Sequence, residues 1–434
     1  MPYMKCTVLL SLIFMPTWVM ASLVNWQNPT PSALAPFQNN AKVVAEMAQH
    51  QIMLYSHPRQ NIQFQTQKEL RKYNNVQFSS GAVVVHATPQ QIAKTLENYT
   101  QYVGLFPTLK NAKVRMQQGQ TTQVEYQVSI PTPIKVLNFN EDVIVQHELK
   151  NNSLSSLFID SPMPYGVSKI EWFALDDKRS LVTTTQWTDT ENVNGFLIKT
   201  ILKAMPEAKI GMPYGASTFV LESLRLKFNP QHQPSLLTTN VPQPHLTTAQ
   251  YNQVVRLSQQ TLQPISFIHE PVKVKYKHGD EIMRFSTSYQ LFNTASQHSA
   301  KLLQPTIYQS LFPKYIRKIE MLPNTDQSND AVIYVRAGLG VITIPFTLRL
   351  RFMPEKNNQV DLFAVGGDLR LLKGNIQISP YQQQSVWKMT SAAKIDENSP
   401  FLLKSMRSLP YHDVLPTVGT APVIVDKALK ELKF

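Results

Sequence analysis

Apolar and polar residues alternate with a period of two along much of this chain, and apolar helical stretches interrupt that alternation. In 123–130, Val124, Tyr126, Val128 and Ile130 alternate with Gln123, Glu125, Gln127 and Ser129, the mark of an antiparallel strand with one wet face. The stretch 341–352 alternates through Ile342, Ile344, Phe346, Leu348, Leu350 and Phe352. Strand patterns succeed one another over 112–188, with turn signals at Gln118-Gly119, Pro131-Thr132-Pro133, Asn151-Asn152 and Asp176-Asp177. Ahead of them, 81–87 reads as a β-branched strand, and Thr88-Pro89 starts a helix through Ile92, Ala93 and Leu96. Behind them lies a long apolar helix over 196–228, broken at Pro206 and Pro213. A sheet with one polar face must bury the other, and the long helix is its natural cover.

The same order occurs twice. Leu105-Phe106-Pro107 recurs as Leu311-Phe312-Pro313, 206 positions on, and Tyr102 and Tyr308 each stand three residues before it. Phe196-Leu197-Ile198-Lys199 recurs as Phe401-Leu402-Leu403-Lys404, at an offset of 205. Met205-Pro206 matches Leu409-Pro410, Gly215 matches Gly419, and Lys227-Phe228 matches Lys433-Phe434. Ordered anchors at a near-constant offset imply duplication of a whole domain. Helical spacing in 40–55 and in 247–262, the latter behind Thr247 as N-cap, gives each copy a lead-in helix. Between the copies, four prolines and no periodicity mark 229–246 as a linker. The expected division is a signal segment 1–21, a first domain 35–228, the linker 229–246 and a second domain 247–434.

The stretch 79–107 carries a strand, Thr88-Pro89, a short helix, and Tyr99, Tyr102, Phe106 and Pro107; strands and a long helix follow. In this it resembles the START-like, or helix-grip, superfamily of lipid-transfer domains, coenzyme Q-binding proteins and polyketide cyclases. The resemblance implies an α+β fold of two tandem helix-grip domains, each a curved antiparallel sheet wrapped around a long C-terminal helix. It also implies a hydrophobic cavity between sheet and helix. The second copy departs at its first helix, where Thr-Pro becomes Asn293-Thr294-Ala295-Ser296.

Composition narrows the function. The 434 residues are 43% hydrophobic and 16% charged, which excludes a disordered chain. Residues 1–5 are basic, 6–20 are apolar and Val19-Met20-Ala21 fits a cleavage point, so the start reads as a secretory signal. Export is expected, to the periplasm if the host has two membranes. The single cysteine, Cys6, leaves with the signal, so no disulfide framework is expected. The charge of +13 is dispersed, which argues against nucleic acid and allows transient contact with an anionic membrane surface.

Catalytic motifs are missing from the sequence. The ten histidines form no H-x-x-x-H pair, and there is no Gly-x-Ser-x-Gly elbow and no phosphate-cradling loop. No metal or cofactor is expected. The remaining candidate is an apolar cavity. Its expected lining in the first copy is Tyr126, Phe139, Phe158, Trp172, Trp187, Leu197, Ile201 and Met205. In the second copy it is Phe346, Leu348, Phe363, Trp387, Leu403 and Met406. Trp187 and Trp387 read as matched positions, as do Phe139 and Phe346. The leading expectation is an exported protein that binds a lipid or another hydrophobic molecule for transport or sequestration in the cell envelope. A cyclase- or hydrolase-like enzyme using the same cavity, with His86, His147, Asp160 or Glu171 as its polar groups, is the alternative. An envelope interaction module with filled cores is the third reading.

Overall fold

The computed structural model describes residues 23–66, 69–130, 139–229, 233–276, 279–339, 342–397 and 399–434. The expected signal segment 1–21 lies outside them. The first half runs α1 (Ala41–Met47), β1 (Gln51–Ser56), β2 (Gln60–Gln65), β3 (Leu70–Val76), β4 (Ser79–Val85), α2 (Pro89–Glu97) and α3 (Tyr102–Leu105). It continues through β5 (Leu109–Gln118), β6 (Thr121–Ile130), β7 (Phe139–Lys150), β8 (Ser153–Asp160), β9 (Gly166–Ala174) and β10 (Ser180–Thr188) to α4 (Phe196–Ala204) and α5 (Ala208–Phe228). After β11 (Ser235–Leu236), the second half opens with α6 (Thr248–Thr261), β12 (Ile265–His269), β13 (Val272–Tyr276), β14 (Gly279–Met283), β15 (Ser286–Phe292), α7 (Ser296–Ser299) and α8 (Ile307–Leu311). It closes with β16 (Ile316–Pro323), β17 (Asn329–Leu339), β18 (Ile342–Phe352), β19 (Gln359–Gly367), β20 (Leu371–Tyr381), β21 (Gln384–Lys394), α9 (Phe401–Ser405) and α10 (Leu415–Glu431). The α+β fold thus uses one order of strand, short helices, six antiparallel strands and long helix twice.

A single antiparallel sheet of 16 strands runs through both halves, in the order β16–β21, β15, β12, β1, β4, then β10 back to β5. The halves meet where β1 pairs β12, with Gln51 opposite His269 and Leu54 opposite Ser266. Each of these strands would otherwise present an open edge, and each removes the other's. On one face of the sheet α5 and α10 bury the two grip cores; on the other, α1 and α6 cover the joint with Met53, Tyr55, Ala82, Val84, Val254 and Phe267.

Several local expectations change. The apolar spacing of 40–55 supports a helix only over α1, and its second half is β1, the strand that joins the halves. Tyr55 and Met53 face one side and Ile52 and Leu54 the other, so an apolar run covered on both faces imitated a helix. Thr247 does cap α6, in a capping box with Gln250. The long C-terminal helix breaks at Met205–Glu207, whereas Pro213 sits inside α5. The stretch read as a linker is partly packed: Val241 is buried against Val274, Met283 and Phe285. The expected wet face of β6 is dry at Gln123, because residues 23–34 strap the outside of the first half. Val24 there exchanges backbone hydrogen bonds with the Gln146 amide, and Glu171 accepts from Ser32 Oγ and the Ala33 amide.

The long helices cross at glycines. A Cβ on Gly211 would lie 2.8 Å from the Gly419 carbonyl oxygen, a backbone contact that only glycine permits. About three turns further along α5, Glu222 accepts two hydrogen bonds from Arg284 of the second half, at 2.8 and 3.0 Å, and two from Arg225.

A candidate binding site in the first repeat

Alternation along the strands decides which side chains enter the space under α5. From β6 come Val124 and Tyr126; from β7, Val143, Val145 and His147; from β8, Leu154, Ser156 and Phe158; from β9, Ile170 and Trp172. Most are apolar, but one row across three strands is polar. His147 Nε2 lies 2.8 Å from the Tyr126 hydroxyl, and its Nδ1 lies 2.8 Å from the Ser156 hydroxyl. The Tyr99 ring stacks on the imidazole at 4.8 Å, and the Tyr102 hydroxyl, donating to the Leu96 carbonyl, fixes the short helical segment above. That segment is set by the Thr88–Gln91 capping box on α2 and ends at Pro107.

Burial sets the protonation of this row. It pushes His147 down to about 3 and the Tyr126 phenol well above its ordinary value, and raises Tyr99 to about 12. His147 is therefore neutral at ordinary pH, donating from one ring nitrogen and accepting at the other. The row offers a hydrogen-bonding handle inside an apolar interior, and a path along which hydroxyl and imidazole protons can reorient together. As a base His147 is weak, because its cation is not solvated.

The second repeat has no such row. Matching hydrogen bonds fix the equivalence: Ser180 Oγ donates to the Ala87 carbonyl as Ser385 Oγ does to Thr294, and Tyr308 bonds Leu302 as Tyr102 bonds Leu96. Counting along the paired strands, Tyr126, His147 and Ser156 correspond to Ile333, Phe352 and Leu362. All three replacements are apolar and pack into the second core.

The expected lining residues divide between faces. Tyr126 and Trp172 are buried in the first core, with Phe158 packed against it. Trp187 is a correction: it faces the outer side, against Phe64 and Tyr73 of the β2–β3 hairpin. Its equivalent is Ala392, whereas Trp387 corresponds to Val182, so the proposed tryptophan match was five residues out of register. An odd slip reverses the face of a strand residue. Trp387 is fully buried in the second core with Leu348 beside it, while Phe346 and Met406 gather around Leu403 near the chain's second short helix. Phe363, between the inward Leu362 and Ala364, faces outward. Ile201 and Met205 are half-buried. The side chains of Phe139 and Leu197 lie outside the described residues. Of the alternative polar candidates, His86 and Asp160 are exposed and Glu171 holds the strap, leaving His147 alone inside.

Beside this interior lies an open cleft of about 970 Å³ between the halves. Its apolar walls include Leu105, Leu226, Leu409 and Tyr411, and Lys110, Lys227 and Arg407 supply cations. Tyr411 holds a positive φ of 58°, unusual for an aromatic residue, and its ring meets Phe219 edge-on at 5.4 Å. Its hydroxyl shares a 2.8 Å hydrogen bond with Ser223. Following it, Val414 and Val418 are fully buried in the first core, so a segment of the second repeat seals the first. Sequence reasoning missed this cleft, reading Leu409-Pro410 as the match of Met205-Pro206; its cations are far apart in sequence and meet only once the halves dock. Among the described residues no cluster of groups suited to a metal occurs, and no helix is long and apolar enough to cross a membrane.

No protein-family model and no curated protein matches the chain by sequence. Solved structures similar to it include the di-domain ARO/CYC StfQ from the steffimycin biosynthetic pathway, at 10% identity. That match covers 82% of this chain and 98% of the other, with a TM-score of 0.24. A START superfamily protein from Mycobacterium smegmatis is 14% identical over 35% of this chain and 96% of its own, with a TM-score of 0.28. A STAR-related lipid transfer protein from Xanthomonas axonopodis is 13% identical over 36% and 90%, with a TM-score of 0.27. This chain repeats one element order twice: strand, short helices, six antiparallel strands, long helix.

Proposed function

We propose that the chain binds a lipid-like amphiphile at the first repeat and carries or sequesters it in a cell envelope after export. The observation that carries this reading is the cleft, which sets apolar walls beside Lys110 and Lys227, with the Glu397-paired Arg407 also in its lining. Apolar area removed from water contributes about 25 cal/mol per Å², so the leucine walls favour an acyl chain while the cations favour an anionic head group. Export rests on the signal pattern of residues 1–21. The test is mass spectrometry of organic extracts from the purified protein, with titration of a fluorescent fatty acid. A co-purifying amphiphile and saturable uptake, lost in Leu226→Asp, support the reading. Absence of both overturns it.

The Tyr126–His147–Ser156 row favours a second reading, in which the bound molecule is chemically altered in the first repeat. Recovery of a trapped ligand in changed form, lost in His147→Phe, supports it; unchanged recovery counts against it.

A further inference from the structure

Two phenylalanines stand out from the rest of the surface. Phe196 is 81% exposed and Phe401 is 74% exposed; among the described large apolar residues the next, Leu262, reaches 53%. A single exposed aromatic needs no explanation. These two, however, occupy equivalent places, each opening the short helix that leads to its repeat's long helix. The repeats have diverged even in their cores, at His147 and Phe352 for example, yet both keep this phenylalanine with a lysine three residues later.

Helical geometry sorts the neighbours. In α4, Phe196, Lys199 and Lys203 share the water-facing stripe while Leu202 is buried beneath. In α9, Phe401 and Lys404 face water and Leu403 is buried against Ile344 and Ile395. Neither helix contains a carboxylate. Lys404 and Arg407 both pair with Glu397, so the charge is less neutralised on α4. The halves are related by a local two-fold: β1 meets β12 antiparallel about Leu54 and Ser266, and Gly211 faces Gly419 as Gly215 faces Leu415. A two-fold places equivalent residues at one height along its axis, so both aromatic tips can meet a single plane.

We propose that Phe196 and Phe401, with Lys199, Lys203 and Lys404, dock the protein on an anionic lipid bilayer. Aromatic tips beside lysines, on helices that carry no acid of their own, suit an interface that is apolar in depth and negative at its face. This docking does not rest on the ligand reading. The test is co-sedimentation of the full chain with phosphatidylcholine vesicles, with and without phosphatidylglycerol. Binding is expected with phosphatidylglycerol, to weaken in high salt and to fall at least tenfold in Phe196→Glu/Phe401→Glu. Lys199→Glu/Lys203→Glu should weaken binding only where phosphatidylglycerol is present. Uptake of the fluorescent fatty acid in vesicle-free solution should be unchanged in the phenylalanine variant, which separates the two proposals. Native chain that ignores anionic vesicles, or a phenylalanine variant that binds as the native does, overturns the docking. So does a native self-association that the variant abolishes in sedimentation velocity, which would assign the two residues to contact between copies.

Discussion

Acidification is expected to weaken this fold well before most carboxylates titrate. His57, His147 and His269 are buried, and burial holds them at about 4, 3 and 4, against 6.5 for a free histidine. A depressed histidine value means that the unfolded chain takes up a proton the folded chain refuses. The stability these groups contribute is complete above the unfolded value and is lost as pH falls from about 6.5 toward the folded values. Between pH 7 and pH 5 each histidine costs about 2 kcal/mol, and the three together cost about 6. That figure barely depends on how far below 5 the folded values lie, since the unfolded chain does nearly all the titrating. Asp330 acts in a different window. Its arginine partners Arg351 and Arg349 hold it at about 2, so its contribution is present above its unfolded value of 3.8 and lost only below it. The assay is urea denaturation at pH 7 and pH 5, for the native chain and for His147→Phe, the residue found at the equivalent position 352. The variant loses stability at both pH values through its stranded hydroxyls, but should retain only about 4 kcal/mol of the acid-dependent loss. An acid-dependent loss that is unchanged in the variant, or absent from the native chain, would refute the reasoning.

The crossing of α5 and α10 predicts opposite outcomes for one substitution four residues apart. Gly211→Ala drives a methyl into the Gly419 backbone and should cost about 1–3 kcal/mol in chemical denaturation. Gly215→Ala meets only the Leu415 side chain, at 3.7 Å, and should be neutral or stabilising by up to about 1 kcal/mol. Equal effects would contradict the packing described. Glu222→Gln leaves Arg284 buried beside a neutral amide and should cost about 3–5 kcal/mol in thermal or urea unfolding; a loss under about 1 kcal/mol would show the pair to be dispensable. Glu171→Ala removes the acceptor for Ser32 and Ala33, so limited proteolysis should cut within residues 23–34 faster than in the native chain. Unchanged cleavage would mean that Gln146 and Lys169 alone hold the strap.

Much of the fold could be read from the sequence because its signals are local. The alternation in β6 and β18, the asparagine turn at Asn151 and the Thr88 and Thr247 caps each depend on a few neighbouring residues. The site was harder, for reasons of parity and of distance. Trp187 and Trp387 sit in similar strands, but a register error of five places reverses the face, and nothing within β10 alone reveals it. The β1 strand reads as helix because its apolar run is covered on both faces, in part by residues more than 200 positions away. Tyr411 and Val414 reach the first core only through the docking of the two halves, a contact that no periodicity records.

The shared sheet, the helix crossing and the Glu222–Arg284 pair make each repeat part of the other's environment. Two identical chains related by a two-fold would carry every residue twice, so a polar group introduced into one interior would appear in both. Joining the copies in one chain removes that constraint while keeping the geometry. The first interior can then hold Tyr126, His147 and Ser156 where the second is filled by Ile333, Phe352 and Leu362. The cost of a buried polar row is met once rather than twice, and the apolar core of the second repeat supports the sheet on which the first is built. Among the features that differ between the copies, the polar row and the burial of Val414 and Val418 both belong to the first core. The features the copies share, including the capped joint of β1 with β12 and the exposed phenylalanines, belong to the scaffold and its surface.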